Sequence, residues 1–129
     1  MKVEKRYRVK QKLQEIVDVI DNNIYFYISD SNTSYIEVAV YSYNKQYELN
    51  DWCVKAKVIC SNGEQVKVEA KIINNIIEVN LDPVNIVGKH RLALALTQGE
   101  KVMGLNSIAF EIKEDNINME QVNEYLKKD

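Results

Sequence analysis

Between Asn22 and Ile112, apolar and polar residues alternate in short runs separated by turn-forming residues. In Ile36-Glu37-Val38-Ala39-Val40-Tyr41-Ser42 the even positions are apolar, as they are in Val66-Lys67-Val68-Glu69-Ala70-Lys71-Ile72. A period of two gives a strand one buried and one wetted face. Ile24, Phe26 and Ile28 are expected to face inward on the first clear strand. Trp52, Val54, Ala56, Val58 and Cys60 do so further on, then Leu92, Leu94 and Leu96, and finally Ile108, Phe110 and Ile112. Ser61-Asn62-Gly63-Glu64 reads as a hairpin, because Asn-Gly suits the positive φ angles of a type I′ turn. Asn74-Asn75 is a second, weaker candidate of the same type. Asp82-Pro83 is expected to open a short helical turn that Gly88 ends. Many short strands at regular spacing point to an all-β sandwich or barrel.

Both ends differ from this middle. Val3, Tyr7, Val9 and Leu13 alternate with Lys2, Arg6, Arg8, Lys10 and Lys12, a strand pattern with a basic outer face over about 3–10. Residues 11–20 fit a strand or a short helix, since Val9, Leu13, Ile16, Val17 and Ile20 also follow helical spacing. Near the other end, Asn118 and Gln121 form a capping-box pattern, with Met119, Val122 and Leu126 on one stripe. A helix of that length needs a surface to dock on. The expected organisation is an N-terminal arm or edge strand over 1–20, a sandwich over 21–114 and a short C-terminal helix within 115–129.

The bulk numbers narrow the class. A chain of 129 residues with 46% hydrophobic content forms about one domain and is not a disordered one. Its net charge of −2 provides no overall field toward nucleic acid or acidic membranes. No apolar run approaches the roughly 20 residues that span a bilayer, and the basic start lacks the apolar segment of a secretory signal. Cys53 and Cys60, on one strand, would lie about 23 Å apart on opposite faces. A disulfide needs Cα atoms within about 7 Å, so two free thiols of a reducing compartment are expected.

Residues able to do chemistry are sparse. His90 is the only histidine, and its place after a turn suggests a surface or strand-end residue. Gly-x-Ser-x-Gly does not occur. One histidine and two separated cysteines do not supply a metal site, and Asp30, Asn32 and Glu37 lack the spacing of a calcium loop. The expectation is no catalysis, no metal and no cofactor. The basic run around Arg6 and Arg8 reads either as a contact surface or as an edge strand protected by its charges. Stacking motifs of nucleic-acid binders are missing, so neither nucleic-acid binding nor membrane insertion is expected. Tyr25 and Tyr27 should face outward on one strand, and Tyr35, Tyr41 and Tyr43 on the next. If those strands are neighbours, one face carries five tyrosines. That face is either an interface, which favours tyrosine, or a cross-strand ladder that stabilises the sheet.

The order of these pieces resembles a known family. It begins with Ser29-Asp30-Ser31-Asn32-Thr33, an alternating strand and Tyr47-Glu48-Leu49-Asn50. Val54 to Ile59, Ser61-Asn62-Gly63-Glu64, Ile73-Asn74-Asn75-Ile76 and Gly88-Lys89-His90-Arg91-Leu92-Ala93-Leu94 follow, before a last strand through Phe110. Over about residues 20–113 the chain is similar to the N-terminal domain of the phage baseplate upper protein family. The resemblance implies an immunoglobulin-like antiparallel β-sandwich in a tailed phage or phage-tail-like particle. Such modules anchor receptor-binding or fibre components, usually as oligomers. Two features depart from the family: the basic segment before Asn22, and an end at Asp129 where members usually continue into a stem. A standalone adaptor or decoration subunit is therefore expected, with other particle subunits as partners, assembled in the host cytoplasm into the virion. The candidate interface is Tyr25, Tyr27, Tyr35, Tyr41, Tyr43, Arg6, Arg8, Val122 and Leu126. The alternatives are a carbohydrate-binding module that stacks cell-wall glycan on tyrosines, and a capsid decoration protein.

Overall fold

The computed structural model describes residues 4–28 and 33–114. These residues are all β, in two facing sheets. The first sheet runs β1 (Glu4–Lys12), β3 (Thr33–Ser42), β8 (Ile76–Asn80) and β7 (Glu69–Ile73), with the short β4 (Lys45–Gln46) on β3. The second runs β2 (Val19–Tyr27), β11 (Ser107–Lys113), β9 (Gly88–Gln98), β5 (Cys53–Ile59) and β6 (Gln65–Lys67), with β10 (Lys101–Gly104) on β9. The expected helix, with Val122 and Leu126, lies outside the described residues.

The sheets are mixed, not antiparallel throughout. β1 pairs with β3 in parallel, and β2 with β11 in parallel. Alternation reports which face a residue takes, not the direction of its strand, so the sequence carried no sign of this. Nor are β2 and β3 neighbours. They lie in different sheets, and Tyr25 and Tyr27 therefore do not share a face with Tyr35 and Tyr41.

The inward positions follow the pattern closely. Ile24 and Phe26 meet Val9, Ile36, Val38, Val40, Val58, Ile77, Val79, Leu92, Leu96, Ile108 and Phe110 in one core. Ile28 departs from it. It sits just past the end of β2 and is 43% exposed. Residues 13–18 are neither strand nor helix but the connection that carries the chain from one sheet to the other. β2 then absorbs two extra residues. Asp21 pairs with Ala109 and Ile24 with Phe110, leaving Asn22 and Asn23 in a bulge where Asn23 takes φ 55°. Asparagine tolerates that left-handed backbone, and the bulge keeps both Ile20 and Ile24 directed inward.

The turns reverse the expected ranking. Asn74 and Asn75, at φ 50° and 63°, form the type I′ turn between Ile73 and Ile76. At Asn62-Gly63 only Gly63 has positive φ, and the Gly63 N–H donates to the Cys60 carbonyl. The Cys60 N–H donates to Glu64, so three residues form the loop, and Gly63 supplies the left-handed step after an ordinary turn. Asp82-Pro83 opens no helix. The Val84 N–H closes a single turn on Leu81, and the Asp82 carboxylate instead accepts from the Ser34 N–H at 2.9 Å. The carboxylate is thus directed to a strand across the fold and not to the turn that follows it.

Candidate interaction surface

His90 is not at the surface. It is 2% exposed, beside Phe110 at 5.5 Å between ring centres. Its Nδ1 accepts from the Ser61 N–H at 3.1 Å. Nε2 must then carry the hydrogen and donate to the Ile86 carbonyl. Both ring nitrogens are committed to backbone. The neighbouring Gly88 has φ 139°, and a Cβ there would come within 2.4 Å of Ser61 Oγ. Glycine at this position lets the β5–β6 hairpin close over the histidine. Cys53 is exposed and Cys60 buried, both free. Burial, and secondarily the charge of Glu64, push the Cys60 thiol up. Among the described residues no three His, Cys, Asp or Glu side chains gather to hold a metal ion.

The tyrosines are distributed over both sheets, and four carry a cation over the ring. On the second sheet Tyr25 and Tyr27 meet edge-on at 5.8 Å. Lys113 lies over Tyr25 at 4.2 Å and Lys5 over Tyr27 at 5.2 Å. On the first sheet Arg6 covers Tyr35 at 4.0 Å and Lys10 covers Tyr41 at 4.5 Å. Such contacts stabilise at about 0.5–1 kcal/mol each in exposed settings. They also occupy a face of each ring that a sugar would use for stacking. Tyr43 differs. It lies in the β3–β4 turn at φ 55° and is 75% exposed, with no ring or cation partner among the described residues.

The basic strand is β1, at the edge of the first sheet. Its odd residues turn inward and bury Val9 and Gln11, while Arg6 and Arg8 face solvent. Arg6 is a hub. Its guanidinium donates to Glu4 at 2.9 Å and Glu78 at 2.7 Å, and lies 3.8 Å from Glu37, which Arg8 approaches at 3.6 Å. The hydrogen bond from Arg6 holds the Glu4 carboxyl below its ordinary value, and Glu4 and Glu78 push Arg6 further up. Glu37 and Glu78 are opposite one another in the β3–β8 ladder. Arg6 neutralises a like-charge pair that would otherwise cost stability. Arg6 thus braces the sheet, while the Arg8 side chain stays 62% exposed.

The sequence pattern did not single out the loop tip beside them. Ile16 is 92% exposed and Val17 45%. Their loop is tied down at three points. The Val17 N–H donates to Asn106 Oδ1, Asn106 Nδ2 donates to the Glu15 carbonyl, and the Tyr43 N–H donates to Gln14 Oε1. Ile16, Val17 and Tyr43 therefore project from two hydrogen-bonded, adjacent loops at one end of the sandwich. The available signal was an Ile-Val pair inside the otherwise polar Gln14-Glu15-Ile16-Val17-Asp18, read instead as part of a helical stripe.

No family model matches the chain, and no curated protein does. Among solved structures it is similar to the N-terminal domain of phage TP901-1 ORF48, with a TM-score of 0.61 at 9% identity, covering 86% of this chain and 99% of that one. A cysteine protease inhibitor of Entamoeba histolytica, EhICP2, aligns over 84% of this chain and 97% of its own at 11% identity, with a TM-score of 0.39. The first likeness establishes a shared β-sandwich fold with a phage protein domain.

Proposed function

We propose that this chain is a non-catalytic structural subunit of a tailed phage or phage-tail-like particle, an adaptor that holds receptor-binding or fibre components in place. The observation that carries the reading is the fold likeness to a phage protein domain over nearly all of that domain. Strand order adds support. β3-β8-β7 in one sheet and β11-β9-β5-β6 in the other follow the order of an immunoglobulin-like sandwich, as the order of turns and strands in the sequence also does. An adaptor of this kind repeats in the assembly as an oligomer and joins the virion in the bacterial cytoplasm. Docking is assigned to the tip of Ile16, Val17 and Tyr43. Apolar side chains held out by a fixed loop lose little conformational freedom on binding. The glycan-binding alternative is weaker, because Tyr25, Tyr27, Tyr35 and Tyr41 each already carry a cation.

The test replaces the tip. A chain with Ile16→Ser and Tyr43→Ser should fold, since both side chains are exposed, yet fail to co-sediment with particles. Incorporation at the level of the unaltered chain overturns the assignment.

A further inference from the structure

The outer face of the second sheet carries a shallow trough of about 470 Å³. Ala93 and Ala95 of β9 form its floor, and Lys55, Lys57 and Lys67 stand along it. Lys55 is opposite Ala95 and Lys57 opposite Ala93, so each lysine flanks an alanine methyl. Lys57 and Lys67 are directly opposite each other across β5 and β6. Like charges in that position destabilise a sheet. The first sheet has the same problem at Glu37 and Glu78, and Arg6 relieves it. Nothing comparable occurs here. Among the described residues, Lys55, Lys57, Lys67 and the nearby Arg91 make no ion pair, and Lys57 donates only to Gln65 at 3.2 Å. The carboxylates nearest by chain and register, Glu64 beside Gln65 and Asp21 across Ala109 from Arg91, pair with none of these cations. A chain whose net charge is −2 thus keeps a concentrated positive group without internal neutralisation.

We infer that this trough docks an acidic, extended protein segment whose alternate side chains are carboxylate and small apolar. The carboxylates would meet Lys55, Lys57 and Lys67, and the apolar side chains would lie on Ala93 and Ala95. Successive side chains of an extended segment point to opposite sides, so a segment lying edge-on along the line between β5 and β9 turns its carboxylates to the lysines and its apolar side chains to the alanines, each set at the two-residue spacing that separates Lys55 from Lys57 and Ala93 from Ala95. The alanine floor suits aliphatic groups. It offers no aromatic platform for unstacked bases, which sequence-tolerant nucleic-acid grooves use. Complementary charge also steers such a partner to the face and fixes its register. The inference stands on this face alone and does not depend on the particle assignment.

Amide shifts of the isotope-labelled chain test it, with a short peptide alternating glutamate and valine titrated at low salt. The expected shifts centre on residues 55–57, 65–67 and 91–95, and binding is roughly tenfold weaker with Lys57→Gln and Lys67→Gln together. The same double variant, measured without peptide, should unfold at a higher temperature, which checks that it is folded and that the lysine pair costs stability. Shifts centred on β1, unchanged affinity in the double variant, or tighter binding of single-stranded DNA at these residues would overturn the proposal. So would shifts at the trough that grow with protein concentration alone, since they would make a second copy the occupant.

Discussion

At the scale of single residues, His90 and Arg6 are engaged in holding the fold. His90→Leu fills similar space but leaves the Ser61 N–H and the Ile86 carbonyl without their side-chain partner. Part-buried groups abandoned in this way cost about 1 kcal/mol, and urea unfolding should show a loss of that size. Arg6→Met removes the bridge between Glu4, Glu37 and Glu78 together with the cover over Tyr35. Arg6 is partly exposed, so solvent screening limits the loss to about 1 kcal/mol, smaller in high salt. The cysteines divide the same way. Cys53 should react quickly with a thiol reagent in the native chain, and Cys60 only on unfolding. Because the folded Cys60 value is raised, the folded chain holds this proton to higher pH than the unfolded chain does. Its contribution to stability is present below the unfolded thiol value and is lost as pH rises through the folded one. The histidine's burial was illegible in the sequence. Nothing in Lys89-His90-Arg91 indicates that the β5–β6 hairpin will close over the ring.

At the scale of elements, alternation located strands and left their partners undetermined. β1 illustrates both. Its inward Tyr7 and Val9 followed the pattern, whereas Gln11 takes an inward position that a polar side chain would not suggest. Gln11 is 1% exposed and exchanges two hydrogen bonds with the backbone of Asn106, donating to its carbonyl at 2.6 Å and accepting from its N–H at 3.2 Å. The Asn106 side chain then fixes the loop holding Ile16 and Val17. Gln11→Leu should therefore destabilise by about 1–3 kcal/mol, and amide exchange should speed up first in residues 13–18. The β7–β8 turn is a second case. Asn75 supplies the left-handed backbone and also bonds Leu49 and Tyr47, so its role extends past its own hairpin. Asn75→Ala loses all of these and should cost about 2 kcal/mol. Asn74-Asn75 was readable as a turn because its chemistry is local. Asp82 was misread as a helix cap because its partner, Ser34, is distant in sequence.

At the scale of the whole molecule, charge is arranged unevenly over a sandwich built on one core. Cations on β1 and Lys113 of β11 lie against carboxylates and tyrosines, while those on β5, β6 and β9 are left facing outward. An apolar loop tip is held rigid at one end. The sandwich itself was legible from period-two alternation. The mixed sheets and the separation of the tyrosines were not, because both depend on which strands meet. The proposed role is that of a subunit built into a phage-type particle. Quantitative mass spectrometry of gradient-purified particles from cells that produce the chain is the most direct test. The chain should co-sediment with the particles at a fixed whole-number ratio to their other structural subunits. Finding it only in the soluble fractions, absent from intact particles, would contradict the account.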